Sequence, residues 1–316
     1  MSKNNGKSNK ADLSSYIDPF RIDGSREFHL RSHKPGEKGD LDKEAAHQII
    51  DANRGRLRTL QEKLYAHDRW SVLLIFQGMD ASGKDSAVEH VMSGINPQGC
   101  QVYSFKTPST KELDHDFMWR TTKCAPERGR IGIFNRSYYE ELLIVRVHPE
   151  ILAKQRIPPE LVTKNIWRER FEDISGYEKY LARNGTLILK FFLNVSKDEQ
   201  RKRFLDRLEE PAKNWKFSLG DIAERKLWDK YQAAYQDLIR HTSAKHAPWI
   251  VVPADHKWFA RVVISSAIVS AMEKLDLRYP EVDKSDADEL KKVRAALEKE
   301  EQAEARTSRT KKAAKL

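Results

Sequence analysis

Short apolar runs alternate with helix-like stretches along most of the chain. The runs are rich in β-branched and aromatic residues and read VLLIFQ (72–77), VYSF (102–105), IGIF (131–134), TLILKFFLNV (186–195) and WIVVP (249–253). Runs of this length are typical of buried strands, and strands that alternate with helices form mainly parallel sheets. The pattern therefore predicts an α/β fold whose parallel sheet is covered by helices on both faces.

The two ends of the chain differ from this pattern. Residues 1–11 are polar almost throughout, which predicts a disordered N-terminal tail. Residues 281–316 mix acids, bases and alanines, which predicts an exposed helix that frays into a disordered basic end, KKAAKL. Residues 12–280 are therefore expected to form the folded domain.

Composition excludes several classes of protein. The 316 residues include only two cysteines, Cys100 and Cys124, which cannot form a disulfide framework or a four-cysteine metal site. No apolar signal-peptide core or membrane-spanning run is present, so the expected location is the cytoplasm. Lys and Arg outnumber Asp and Glu by 57 to 47, a formal net charge of +10 that favours polyanionic partners.

The most informative motif follows the first apolar run. The segment GMDASGKD (78–85) has the form G-x-x-x-x-G-K, and it lies between a predicted strand and a predicted helix. Backbone N–H groups of such a loop surround a phosphate, and the lysine contacts phosphate oxygens. The candidate phosphate-binding residues are Gly78, Ala81, Ser82, Gly83, Lys84, Asp85 and Ser86.

Two acids make this loop unusual. Asp85 occupies the position after the lysine, where Ser or Thr usually binds magnesium, and Asp80 lies within the loop itself. A carboxylate beside a bound phosphate requires an offsetting cation, and Mg²⁺ accepts carboxylates together with phosphate oxygens. Asp80 is therefore the candidate metal ligand, with helix capping as the alternative role.

A second polar segment follows the strand IGIF. Asn135 lies where many phosphate-loop enzymes have an aspartate, and it can orient hydrated magnesium without neutralising it. Arg136 comes at the carboxyl end of a strand, where open α/β sheets bind ligands, and its guanidinium suits a bidentate phosphate contact. A structural salt bridge is the alternative role of Arg136.

Together these motifs resemble the polyphosphate kinase 2 family. The resemblance rests on GMDASGKD, on FNRSYYE (134–140) and on the downstream WKFS and WDKY segments, and it covers roughly residues 13–280. Asn135 followed by Glu140 is most similar to class III members, although Tyr138 stands where many of them have histidine.

The resemblance implies a three-layer αβα kinase-like fold with a parallel five-stranded sheet and a helical lid at about residues 196–220. It implies Mg²⁺-dependent phosphoryl transfer, with Mn²⁺ as a substitute, from inorganic polyphosphate to AMP and ADP, which yields ATP. It also implies that the protein forms homodimers or homotetramers. By the same resemblance Asp80 holds metal, Lys84 and Arg136 hold phosphates, and Glu140 lies near the acceptor nucleotide with Asn135.

The predicted lid helix is basic. Arg203 and Arg207 are spaced i, i+4 and share one helix face, while Phe204 and Leu208 form an adjacent apolar stripe. We expect the arginines to face a phosphate chain and the apolar stripe to pack inward. A solvated basic face is the alternative.

Other assignments stay open. Lys106 and Arg120 are candidates for contact with the acceptor nucleotide, and surface solvation explains either equally well. Four tryptophans are expected to be core or subunit contacts, namely Trp167, Trp215, Trp228 and Trp258. The rival functions are an ATP-dependent nucleoside monophosphate kinase on the same fold and a non-catalytic basic module that binds polyanions. Neither specific nucleic-acid binding nor membrane binding is expected.

Overall fold

The computed structural model describes residues 13–216, 218–281 and 283–313. Contacts divide the chain into two compact units, Met1–Arg278 and Tyr279–Leu316. The tail predicted at residues 1–11 and the last three residues of the predicted basic end lie outside the described residues. The described helices are each too short or too polar to traverse a lipid bilayer.

A sheet of six strands forms the centre of the first unit. The strands are β1 (Arg21–Ile22), β2 (Ser71–Gln77), β3 (Cys100–Ser104), β4 (Ile131–Asn135), β5 (Thr186–Asn194) and β6 (Trp249–Pro253). Their order is β1-β6-β5-β2-β4-β3, with all pairs parallel except the antiparallel pair of β1 with β6. The five predicted parallel strands are confirmed. The sixth strand was not predicted, because two residues are too few to show a pattern.

Helices connect these strands. The α-helices are α1 (Lys43–His67), α2 (Lys84–Val91), α3 (Thr110–Leu113), α4 (Trp119–Thr122), α5 (Ile144–Val147), α6 (Pro149–Leu152), α7 (Ile166–Arg183), α8 (Lys197–Glu209), α9 (Leu219–Lys226), α10 (Trp228–Thr242), α11 (Lys257–Glu273) and α12 (Lys284–Ala313). Short 3₁₀ helices cover Ser14–Tyr16, Asp18–Phe20, Leu30–Ser32, Pro97–Gly99, Tyr138–Leu142, Ala153–Gln155, Pro159–Leu161 and Pro211–Lys216. The second unit contains α12, which exposes Leu290, Val293 and Leu297.

The first unit has three layers, as predicted. Helices α1, α2 and α11 pack together on one face of the sheet, and α7 and α10 pack together on the other. Strand β2 is buried along its whole length between β4 and β5, which explains its unbroken apolar sequence. Because the chain leaves β2 in one direction for β3 and β4 and later returns to β5 and β6 on its other side, the loop after β2 lies where the strand order reverses. Open α/β sheets bind ligands at such a position.

A buried ion pair joins the sheet to one of the helices that cover it. Lys190 on β5 and Glu178 on α7 are both almost completely buried, and their charged atoms are 2.5 Å apart. Tyr138 and Tyr139 donate hydroxyl hydrogen bonds to Glu178 at 2.9 and 2.7 Å, and Lys190 also donates to the carbonyl of Thr242. Burial and the Glu178 carboxylate raise the pKa of both tyrosines well above the usual range, so both hydroxyls stay protonated. The network fixes the segment that follows β4.

Removal of one charge should therefore destabilise the fold. We expect Lys190→Met to lower the free energy of unfolding by about 3–5 kcal/mol, because the Glu178 charge loses its buried partner. Urea unfolding followed by far-UV circular dichroism measures this change. The double variant Lys190→Met/Glu178→Leu should recover part of the loss. A single variant within about 1 kcal/mol of the wild type would contradict this account of the pair.

Candidate active site

The loop after β2 has the backbone of a phosphate cradle. A Cβ atom on Gly78 would lie 2.6 Å from Ser82 Oγ and 3.0 Å from the carbonyl oxygen of Leu193, so only glycine fits there. Gly83 has φ of 102° and leads directly into α2, and Ala81 adopts a left-handed φ of 59°. The first turn of α2 therefore points its unpaired N–H groups at the space in front of the loop.

Lys84 folds back over this loop. Its ammonium group donates to the carbonyl oxygens of Gly78 at 2.6 Å and Met79 at 3.2 Å, and the side chain is buried. Burial lowers the pKa of Lys84, and the neighbouring Asp80 and Glu140 carboxylates oppose that shift. The lysine is thus held at the place where a phosphate would meet the loop.

Asp80 and Arg136 form an ion pair at the mouth of the loop. Arg136 Nη2 lies 3.0 Å from Asp80 Oδ1, and both side chains are partly exposed. Arg136 has a left-handed φ of 65°, and its backbone N–H donates to the carbonyl of Phe76. The predicted alternative role of Asp80 as a helix cap is wrong, because Gly83 is the N-cap of α2 and no side chain caps it.

Asn135 and Ser86 make contacts that the sequence did not indicate. Asn135 Nδ2 donates to Asp85 Oδ1, which links the end of β4 to the first turn of α2. Ser86 Oγ accepts a hydrogen bond from Arg261 Nη2 on α11 at 3.1 Å. Asp85 and Ser86 are thereby held by neighbouring elements at the edge of the loop.

The two lid arginines differ in position. Arg207 is partly exposed, and its guanidinium lies 3.6 Å from the carboxylate of Asp221. Arg203 is buried, and it donates to Glu199 and to backbone carbonyls of the phosphate loop. The predicted contact of Arg203 with a phosphate chain stays a prediction, and these hydrogen bonds to the protein do not support it. Phe204 is buried as expected, whereas Leu208 is exposed rather than packed inward.

These residues surround a cleft of about 710 Å³, which we call the loop cleft. Its lining comprises Asp80–Ser86 together with Glu89, Ser104, Lys106, Thr107, Asn135, Arg136, Arg203, Asp206, Arg207, Trp215, Asp221 and Lys257. The cleft thus brings together most of the predicted phosphate-binding and metal-binding residues. Trp215 is largely exposed at this cleft, so it is not part of the core.

A second cleft of about 270 Å³ adjoins the loop cleft and shares Lys106, Thr107 and Arg136 with it. Its walls include apolar side chains and several charged ones, among them Phe105, Phe117, Glu112, Arg120, Glu140, Ile144, Val145, Ile151 and Lys154. Arg120 donates to the carbonyl of Lys106 at 2.7 Å, and its guanidinium lies over the ring of Phe105. Of the four predicted nucleotide contacts, Lys106, Arg120 and Glu140 line this second cleft, whereas Asn135 lines the loop cleft instead.

Glu140 lines the second cleft, and it also borders a small cavity of about 50 Å³ together with Asp80 and Arg136. Burial raises the pKa of its carboxyl group, while the nearby Arg136 and Lys84 charges oppose that shift. The hydrogen-bonding groups around Gln77 are best satisfied when its amide nitrogen donates to Glu140 Oε1 at 2.9 Å. Glu140 is therefore held in place from the end of β2.

Sequence reasoning missed three residues at the site: Gln200, Asp221 and Lys257. Gln200 donates to the carbonyl oxygen of Asp80 at 2.9 Å, and burial together with the Asp80 charge raises the pKa of Asp221. Lys257 begins α11 beside the loop cleft. The sequence offered only an indirect signal, since Asp221 and Lys257 follow soon after the segment WKFS and the strand WIVVP.

The chain is similar to known proteins in both sequence and structure. The family model of Polyphosphate kinase 2 (PPK2) matches residues 40–280. An ADP-polyphosphate phosphotransferase of Rhodopseudomonas palustris is 54% identical over 256 residues, which cover 81% of this chain and 89% of that protein. An AMP/ADP-polyphosphate phosphotransferase of Meiothermus ruber is 41% identical, with 83% and 95% covered. The crystal structure of Polyphosphate Kinase 2 from Arthrobacter aurescens TC1 has a TM-score of 0.80 and 38% identity, with 87% and 95% covered.

The raised pKa of Glu140 predicts a pH-dependent stability. Between the ordinary value of 4.5 and the raised value, the folded protein binds more protons than the unfolded chain, so stability falls as the pH rises through that window. Glu140→Gln removes this titration. We expect the free energy of unfolding of the variant to rise relative to the wild type as the pH increases above 4.5.

Urea unfolding at several pH values measures this difference, with the exposed Glu160→Gln as the matched control. If the difference in free energy of unfolding between Glu140→Gln and the wild type stays constant with pH, the folded protein does not raise the pKa of the Glu140 carboxyl group. The control variant should show a constant difference.

Proposed function

Because the chain belongs to the polyphosphate kinase 2 family, we propose that it transfers phosphoryl groups from inorganic polyphosphate to AMP and ADP, forming ADP and ATP. The observation that carries the proposal is the junction of the two clefts at Lys106 and Arg136. One cleft contains an anion-binding loop, and the other has apolar walls of a kind that suits a nucleotide base. Donor and acceptor phosphates then meet at the shared residues.

The donor end of polyphosphate binds in the loop cleft. Phosphoryl transfer requires alignment and charge neutralisation more than covalent chemistry. The N–H groups of the loop and of the first turn of α2 receive the terminal phosphate, and Lys84 contacts its oxygens. Arg136 stabilises the charge on the transferred group from the opposite side, since its guanidinium lies at the mouth of the loop. Arg207 adds a positive charge at the same cleft that can contact further phosphates of the polyphosphate.

The residues fit a divalent metal that is shared with the phosphates. Within residues 13–216, 218–281 and 283–313, no cluster of three or more His, Cys, Asp or Glu side chains could hold a metal by itself. Mg²⁺ commonly uses one or two carboxylates and completes its shell with water and phosphate oxygens. Asp80 supplies such a carboxylate at the loop cleft, with Asp85 and Asn135 alongside. Bound Mg²⁺, or Mn²⁺ in its place, neutralises phosphate charge and orients the phosphates.

The acceptor nucleotide occupies the second cleft. Its base and ribose lie among the apolar walls, and its phosphate reaches Lys106 and Arg136. A nucleotide phosphate is anionic at neutral pH, so no strong general base is needed. Glu140 borders the space that separates the acceptor from Asp80, and its carboxylate disfavours extra negative charge there. This proximity supports a role for Glu140 in the choice between AMP and ADP.

Two further assignments are proposals of the same kind. Residues 12–280 form the catalytic domain, with the lid at about residues 196–220 and a separate charged helix after residue 280. The protein assembles as a homodimer or homotetramer, as the family resemblance implies.

The first experiment asks which donor and acceptor the protein uses. Purified protein is incubated with Mg²⁺, with polyphosphate or GTP as the donor and with AMP or ADP as the acceptor, and the nucleotides are separated by chromatography. We expect ADP and ATP from AMP with polyphosphate alone. ATP formed from ADP but no product from AMP would limit the reaction to ADP. Turnover of AMP with GTP and not with polyphosphate would support a nucleoside monophosphate kinase, and no turnover would support a non-catalytic module.

The second experiment removes the residues proposed to act on phosphate and metal. We expect Lys84→Met to lower kcat by about 100- to 1,000-fold, because a charged donor to the transferred group is lost. Asp80→Asn should raise the Mg²⁺ concentration required for half-maximal activity. The matched controls, Lys291→Met and Asp288→Asn, lie on the exposed helix α12 and should leave both values unchanged. Wild-type Mg²⁺ dependence in folded Asp80→Asn would remove Asp80 from the metal site.

A further inference from the structure

Two side chains of α8 hold three consecutive carbonyl oxygens of the phosphate loop. Gln200 Nε2 donates to the carbonyl of Asp80 at 2.9 Å. One turn later, Arg203 Nη1 donates to the carbonyls of Ala81 at 3.0 Å and Ser82 at 2.8 Å. Both side chains are buried, so water does not compete for these bonds. The helix is therefore attached to the backbone of the loop and not only to its surroundings.

The remaining donors of Arg203 are also occupied. Its Nε donates to Glu199 Oε1 at 2.9 Å, and its Nη2 donates to the carbonyls of Ala254 at 2.6 Å and Asp255 at 3.1 Å. Together with the two bonds to the loop, these contacts use all five N–H donors of the guanidinium. In this arrangement Arg203 has no donor left for a phosphate oxygen.

The helix that carries these side chains is itself fixed at its start. Ser196 caps α8 by accepting from the backbone N–H of Glu199, and its own N–H donates to Asp255 Oδ1 at 2.7 Å. Arg225 from α9 donates to Gln200 Oε1 at 2.8 Å and to the carbonyl of Lys197 at 2.7 Å. The first two turns of α8 are thus joined to the end of β6 and to α9.

The geometry of the peptide group links these contacts to phosphate binding. A trans peptide directs the N–H of one residue opposite to the C=O of the residue before it. Because the carbonyl of Ser82 faces Arg203, the N–H of Gly83 points away from Arg203. The carbonyl of Ala81 is held by Arg203 as well, while the N–H of Ser82 in the same peptide donates to the carbonyl of Met79 at 3.1 Å. The orientation of the loop amides therefore depends on α8.

We propose that Arg203, together with Gln200, is a positioning residue that sets the backbone of the phosphate loop and does not bind phosphate. Arg207, one turn further along α8, is the lid arginine that contacts the polyphosphate chain. This assignment rests on the proposed function for its kinetic consequences. Its structural claim, that α8 orders the loop amides, can be measured without any substrate.

The kinetic test compares two matched substitutions, Arg203→Lys and Arg207→Lys. Lysine keeps the charge but cannot bridge the loop and residues 254–255 as a guanidinium does. We expect Arg203→Lys to lower kcat by about 100-fold, because the loop donors are misplaced, with the polyphosphate KM changed less than about threefold. Arg207→Lys should instead raise the polyphosphate KM. A raised KM with unchanged kcat in Arg203→Lys would overturn the proposal.

The second readout is hydrogen–deuterium exchange of the loop peptide in the wild type and both variants without substrate. Exchange at residues 79–84 should accelerate in Arg203→Lys and stay at the wild-type rate in Arg207→Lys. Unchanged exchange in Arg203→Lys would overturn the proposal. Should Arg203→Lys fail to fold, Gln200→Met is expected to give the same two effects at a smaller size. If the wild type shows no turnover with polyphosphate, the proposed function fails and the exchange rates alone decide the positioning role.

Discussion

The phosphate loop depends on a division of its peptide groups. Its carbonyl oxygens accept hydrogen bonds from side chains of the protein, and its N–H groups are left for an anion, except that of Ser82, which donates to the carbonyl of Met79. A buried carbonyl without a donor is costly, so the loop can present its amides only if other groups satisfy its oxygens. Lys84 serves the carbonyls of Gly78 and Met79, while Gln200 and Arg203 serve the next three. The conformation of the loop therefore depends on residues that lie outside it in the sequence. Strand β2 sets its position, and α8 sets the direction of its peptides.

The loop cleft contains both acidic and basic side chains. Acidic side chains at the loop cleft, Asp80, Asp85, Asp206 and Asp221, stand among lysines and arginines. An anion-binding site built only for phosphate would avoid these carboxylates, since they repel the substrate. A cation that arrives with the phosphates turns the same carboxylates into favourable contacts. The ion pair of Asp80 with Arg136 then holds the acid in place before the substrate binds.

The sequence predicted the parts of this structure that short-range patterns encode. The five parallel strands and the loop between β2 and α2 have local signals, either a run of apolar residues or a fixed spacing. The orientation of Arg203 has none. Its i, i+4 spacing from Arg207 indicates a shared face, and both residues line the loop cleft, yet Arg203 is buried with its donors on the protein whereas Arg207 is partly exposed. The contacts of Gln200 and Asn135 join segments that are distant along the chain, and one sequence carries no sign of them.

Arg136 shows how the fold fixes the place where the two clefts meet. Its left-handed backbone is costly for a residue with a side chain, and such strain persists only where the surroundings enforce it. Here the backbone N–H is bonded to Phe76 and the guanidinium to Asp80, so the side chain is placed by the protein before any ligand arrives. Since Arg136 lines both clefts, the proposed function brings the reacting phosphates to a fixed charge. Under the same proposal, the choice of acceptor depends on the second cleft, where the Glu140 carboxylate is one of the lining groups.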